Sequence, residues 1–163
     1  MKNSLAALLI VLLALAAGVA AQNAPKPNLS GTWVFNAQKS ALKVPPPSSI
    51  MLTIVQNDPQ VQLARTQVYG EQSFKWDLDI VADGQKEVVQ NSPAYTANVR
   101  AYWQGGALIV DQKITAPDGT KATDQISYSL SGDGRMLEAV EHEATVGAKG
   151  STTNKWVYEK QGQ

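Results

Sequence analysis

The chain has 163 residues, with 14 basic and 14 acidic side chains, one His and no Cys. The missing Cys removes disulfides, thiolate nucleophiles and thiolate metal ligands together. The balanced, dispersed charge leaves no basic patch to neutralise phosphates, so no nucleic-acid partner is expected.

Met1 to Ala21 carries Lys2, then the apolar run Leu5 to Val19, then small residues. That order reads as a secretory signal peptide, and it places the mature protein in the periplasm or outside the cell. Cleavage after Ala21 leaves 163 − 21 = 142 residues, enough for one domain with its own core. No later stretch is long and apolar enough to cross a bilayer, so no integral membrane segment is expected after cleavage. Residues 22–28, polar with Pro25 and Pro27, read as a flexible tail. Residues 29–163 form the expected domain.

The first strand-like segment, Gly31 to Gln38, puts Trp33 and Phe35 on one face. After it, Pro45-Pro46-Pro47 forbids ladder bonding and predicts a long loop across one mouth of the fold. From Ile50 onward, segments of two-residue alternation recur between turn residues. The pattern predicts strands at 50–56, 61–69, 72–81, 86–90, 95–104, 107–115, 121–130, 136–145 and 152–160, broken by Asp58-Pro59, Gly70, Gly105-Gly106 and similar turns. Met136 to Val146 contains good helix formers, yet its place in a strand-spaced series favours a strand. The fold class that follows is all-β: an antiparallel up-and-down meander of about eight to ten strands closing into a barrel.

Three stretches carry a family resemblance: Ser30-Gly31-Thr32-Trp33 at the mature start, Ser129 to Leu137 with its Gly-Asp-Gly-Arg turn, and Lys155-Trp156-Val157-Tyr158-Glu159 at the end. The chain resembles exported bacterial lipocalin-like proteins, barrels of the calycin type. Thr123-Asp124 is similar to the Thr-Asp pair of a second lipocalin motif. The resemblance implies that Trp33 closes one end of the barrel, with Gly31 letting the backbone pass closely; closing the barrel requires the first and last strands to pair, which is expected to bring Trp156 near Trp33. Where lipocalins place an Arg over that Trp, the last strand here offers Lys155 and Lys160.

Alternation also selects the lumen. Phe74, Trp76, Leu78 and Ile80 form one inward set, with Tyr95, Val99, Ala101 and Trp103, then Leu108, Val110, Gln112 and Ile114, then Ile126, Tyr128 and Leu130. A polar minority shares this inward phase: Arg65 following Val61 and Leu63, Gln112, Tyr128, and His142 counted with Val140 and Ala144. Glu141 and Glu143 then fall on the solvated face. A few polar groups in an apolar cavity suit a small molecule, and an inward Arg65 would pair with a ligand carboxylate. The expected ligand-binding residues are therefore Arg65, Trp76, Tyr95, Trp103, Gln112, Tyr128 and His142. A lone His makes a poor metal site, and no nucleophile elbow or phosphate loop is present. No metal, cofactor or catalytic residue is expected.

The reading that results is an exported, monomeric, non-enzymatic protein holding a small hydrophobic or amphipathic ligand in its lumen. Two alternatives remain: a solid barrel that binds a protein, envelope or glycan partner through its loops, and a barrel enzyme acting on a small hydrophobic substrate.

Overall fold

A computed structural model describes residues 26–148 and 150–162. The expected signal peptide lies outside the described residues. Ten strands follow in order: β1 Gly31–Phe35, β2 Ser49–Asn57, β3 Gln60–Tyr69, β4 Gln72–Val81, β5 Glu87–Asn91, β6 Thr96–Gln104, β7 Ala107–Thr115, β8 Lys121–Leu130, β9 Met136–Thr145 and β10 Thr152–Lys160. They form one antiparallel sheet in the order β4-β3-β2-β1-β10-β9-β8-β7-β6-β5. The meander is nearly closed into a barrel, and its first and last strands pair through Trp33↔Lys160 and Phe35↔Tyr158.

Local sequence explains the reversals. Between β6 and β7 the two-residue loop Gly105-Gly106 has φ of 56° and 83°, a doubly left-handed turn that matches strand twist and that only glycine adopts without strain. Alternation does the rest. In β2, Ile50, Leu52 and Ile54 are buried while Met51 and Val55 face water, so the pleat alone sorts core from surface.

One end of the barrel is plugged. Leu29, Trp33, Val61, Leu63, Leu108 and Leu137 are buried there, and Trp33 Nε1 donates to the Leu29 carbonyl at 3.0 Å. Gln56 ties the incoming chain across this end: its Oε1 accepts from Leu29 N and its Nε2 donates to the Pro27 carbonyl. Pro27, expected in the tail, is thus tethered to β2. Lys160 Nζ lies 5.2 Å from the Trp33 ring centroid, so a lysine from the last strand takes the cation's place over the first Trp.

Gly31 sits at φ 148°, and a Cβ there would meet Lys160 Cε at 2.9 Å. The lysine end could move aside, but it would leave Trp33, and the backbone conformation would stay strained. Gly31→Val is therefore expected to lower stability by about 1 kcal/mol or more. Equal urea midpoints for variant and parent would refute this.

Three expectations change. β1 ends at Phe35, three residues before Gln38, because Asn36 to Ser40 bulge away before Ala41 rejoins β10 opposite Lys155. Trp33 stands opposite Lys160 rather than beside Trp156, which lies four residues back along β10 and faces Phe35 with ring centroids 5.9 Å apart. Phe74 keeps the inward phase but is 54% exposed, since β4 is an edge strand and its partner across the wall is missing.

That missing partner defines a seam. Among the described residues no ladder joins β4 to β5, and the wall is held there by side chains: Trp76 Nε1 donates to Gln90 Oε1 at 3.0 Å and Gln90 Nε2 to the Asp77 carbonyl at 3.1 Å.

Candidate functional site in the polar half of the lumen

The end opposite the Trp33 plug carries a polar constellation. Register stacks it in rows across β7 to β10: Gln112, Asp124, Glu143 and Thr152 are successive ladder partners, and so are Val110, Ile126, Glu141 and Asn154. On the facing wall Leu52, Arg65 and Trp76 are partners across β2 to β4. Arg65 therefore points inward, as its spacing from Val61 and Leu63 predicts, and its guanidinium carbon lies 5.3 Å from the Trp76 ring centroid.

Hydrogen bonds fix most of these groups. Glu141 Oε2 accepts from Trp156 Nε1 and from Asn154 Nδ2, both at 2.9 Å. The buried Asn154 in turn accepts from Lys43 N through Oδ1 at 2.8 Å, which pins the Pro-rich connection to the barrel. Gln112 Nε2 donates to Asp124 Oδ2 at 3.0 Å. The other oxygen, Asp124 Oδ1, is buried with no partner among the described residues.

Burial pushes the Asp124 carboxyl up to about 7; the charges of Glu141 and Glu143 add to this, and Arg65 and Gln112 oppose it. Burial likewise holds the Tyr158 phenol at about 12 and raises that of Tyr128, with Arg65 opposing in both cases. Around the Tyr128 hydroxyl the charges of Arg65, Asp124 and Glu141 all act, so the four groups lie within electrostatic reach of one another in one region of the barrel interior.

Of the residues expected from sequence, Arg65, Trp76, Gln112 and Tyr128 belong to this space. Tyr95 is half-buried against the core just before β6. Trp103 points inward near the plugged end, where its Nε1 is buried without a partner and Lys26 Nζ lies 6.0 Å from its ring. His142 does not face the lumen. It is exposed on the outer wall, with Nδ1 at 2.9 Å from Thr153 Oγ1. Leu137 and Ala139 are buried and set the phase of β9, so Glu141 points inward and the apolar Val140 and Ala144 lie outside. Glu143 shares the inward phase but is exposed at the mouth.

Sequence reasoning therefore missed Asp124, Glu141, Asn154 and Tyr158. Asp124 was open to it, since counting back in twos from Tyr128 and Ile126 arrives there. Outside the barrel a groove of about 350 Å³ crosses β6 to β9, lined by Asn98, Arg100, Lys113, Gln125 and His142. Arg100 pairs there with Asp111 at 3.3 Å. Among the described residues no group of three or more His, Asp or Glu side chains is placed to hold a metal ion.

A ten-stranded antiparallel meander, joined first strand to last around a Trp-plugged core, is a lipocalin-like β-barrel. The fold is similar to that of a secretory abundant heat soluble (SAHS) protein from Ramazzottius varieornatus, with a TM-score of 0.56 and 16% identity over 85% of this chain and 98% of that one. SAHS protein 4 of the same organism matches with a TM-score of 0.53 and 14% identity, over 86% of this chain and all of the other. No family model and no curated protein matches the sequence.

Proposed function

We propose that the protein is an exported, non-enzymatic carrier that holds a small amphipathic molecule, its tail among the apolar inward side chains and its polar head at the Asp124–Tyr128–Arg65 constellation. One observation carries this reading. Asp124 Oδ1 is buried inside the barrel with no hydrogen-bond partner among the described residues. A buried carboxyl oxygen without a partner is costly, and such groups are met by water or ligand.

Fluorescence of an anilinonaphthalene sulfonate with the natively folded protein tests the reading. Saturable dye binding, displaced stoichiometrically by long-chain amphiphiles, is the expected result. Dye that neither saturates nor is displaced would overturn it. The protein would then be a packed barrel whose partner docks from outside, and the groove beside Arg100 and Lys113 favours that second reading.

A further inference from the structure

We propose that the head group recognised in the lumen is a cation, a protonated alkyl amine, accepted by Asp124. The inference rests on the carrier reading and names its ligand class. The spacing of Arg65 alone suggests the opposite sign, a carboxylate. The decision turns on what surrounds Arg65.

On the β7–β9 wall acceptors are in surplus. Gln112 is 7% exposed and its amide N–H is turned onto Asp124 Oδ2, while Asp124 Oδ1 is buried with no donor. Glu141 Oε2 receives two donors, and its Oε1 receives none from the described residues. Tyr128, two turns of the pleat along β8 from Asp124, adds a hydroxyl oxygen. An ammonium group brings three donors and no acceptor, which is the complement of such a set. A carboxylate brings acceptors only.

Charge points the same way. In this half of the barrel three carboxylates share the inward phase, Asp124 on β8 with Glu141 and Glu143 on β9, and face the Arg65 cation on β3; Lys160 lies at the plugged end over Trp33. Arg65 forms no ion pair with a described residue; it lies against the Trp76 ring and beside the Tyr158 hydroxyl. Because Asp124 and Glu141 act on the same hydroxyl as Arg65, an anion brought to Arg65 enters their field as well. In a space partly stripped of water, like charges repel strongly and an opposite charge is held. Trp76, Ile126 and Leu52 form the apolar wall on the side where a tail would lie.

A consequence follows for pH. The groups facing Asp124 are Gln112 from β7, Glu141 and Glu143 from β9 and Arg65 from across the lumen. The unliganded carboxyl holds its proton up to about pH 7 and must release it to take an ammonium ion. Between pH 6 and pH 8 the affinity for an amine should therefore rise about tenfold.

The experiment uses the mature chain and three probes of equal tail length below their micellar concentrations: dodecylamine, dodecanol and dodecanoate. Each is titrated calorimetrically at pH 6 and pH 8 against the parent, Asp124→Asn and Arg65→Met. The amine should bind tenfold or more tighter than the alcohol at pH 8, lose that advantage at pH 6 and in Asp124→Asn, and bind tighter still to Arg65→Met, which lacks the competing charge. Dodecanoate binding tightest and failing in Arg65→Met would overturn the inference, as would equal affinity for all three probes; in both cases the carrier reading survives. If none of the three binds folded protein, the carrier reading itself fails.

Discussion

Trp33→Ala is expected to remove about 3–5 kcal/mol of stability, the range for deleting a large aromatic side chain from a core. The melting temperature should fall by roughly 10 °C or more. The side chain is 0% exposed, its indole N–H is the donor that holds the Leu29 carbonyl, and its ring carries Lys160. Removing it leaves a cavity at the plugged end and unties both the chain entering β1 and the end of β10. Urea unfolding of parent and variant checks this. A loss below about 1.5 kcal/mol would mean that the plug is not where the barrel's stability is concentrated.

Asp124→Asn is expected to act in the opposite direction, and only above acid pH. In the folded protein the carboxyl titrates near 7, against 3.8 for the ordinary group. Below about pH 4 it is protonated in both states, so parent and variant should be equally stable. As pH rises to about 7 the unfolded chain gives up this proton while the folded one keeps it; the unfolded state then binds fewer protons, and parent stability falls. Above 7 the penalty is complete. Asn imitates the neutral acid and keeps an oxygen for Gln112, so the variant should gain progressively from pH 4 and level off above 7. The gain has a ceiling of about 4 kcal/mol, from about 1.4 kcal/mol per pH unit of separation. Unfolding of unliganded protein at pH 4 and pH 8 decides it: a variant weaker than the parent at pH 8 would show that Asp124 is ionised and paired.

The strand series was legible because every turn is marked by Gly, Asp or Pro and each segment alternates cleanly. β4, β7, β8, β9 and β10 begin and end at the residues expected. Met136 to Thr145 is a strand despite its helix formers, since ladders on both sides outweigh local propensity. The site was legible only where an apolar neighbour gave the right phase. Arg65 inherits its direction from Val61 and Leu63, and Tyr128 from Ile126. On β9 the guide failed, because Val140 and Ala144 are apolar and face out while Glu141 is charged and faces in. A carboxylate turned inward violates the hydrophobic pattern that sequence reading depends on, and only the ladder register with Trp156 and Asn154 reveals it. Glu141 was invisible for the same physical reason that makes it of interest, whereas Asp124 could be reached from the phase of Ile126 and Tyr128.

The closure of β1 on β10 also bears on how the chain finds this shape. Eight of the nine ladders join strands that follow one another in sequence; the ninth brings Trp33 to Lys160, 160 − 33 = 127 residues apart. Eight hairpins can form locally within microseconds, whereas that ninth pairing must wait for the two halves of the polypeptide to meet. The seam lies almost diametrically elsewhere, mid-chain between β4 and β5, so the segment 82–86 is crossed by no ladder. A cyclised chain reopened there would keep all nine pairings and make each of them sequential. The order of assembly is thus expected to follow the sequence separation of the paired strands, with the pairing of the Trp33 strand to β10 slower than any pairing in the polar half of the lumen.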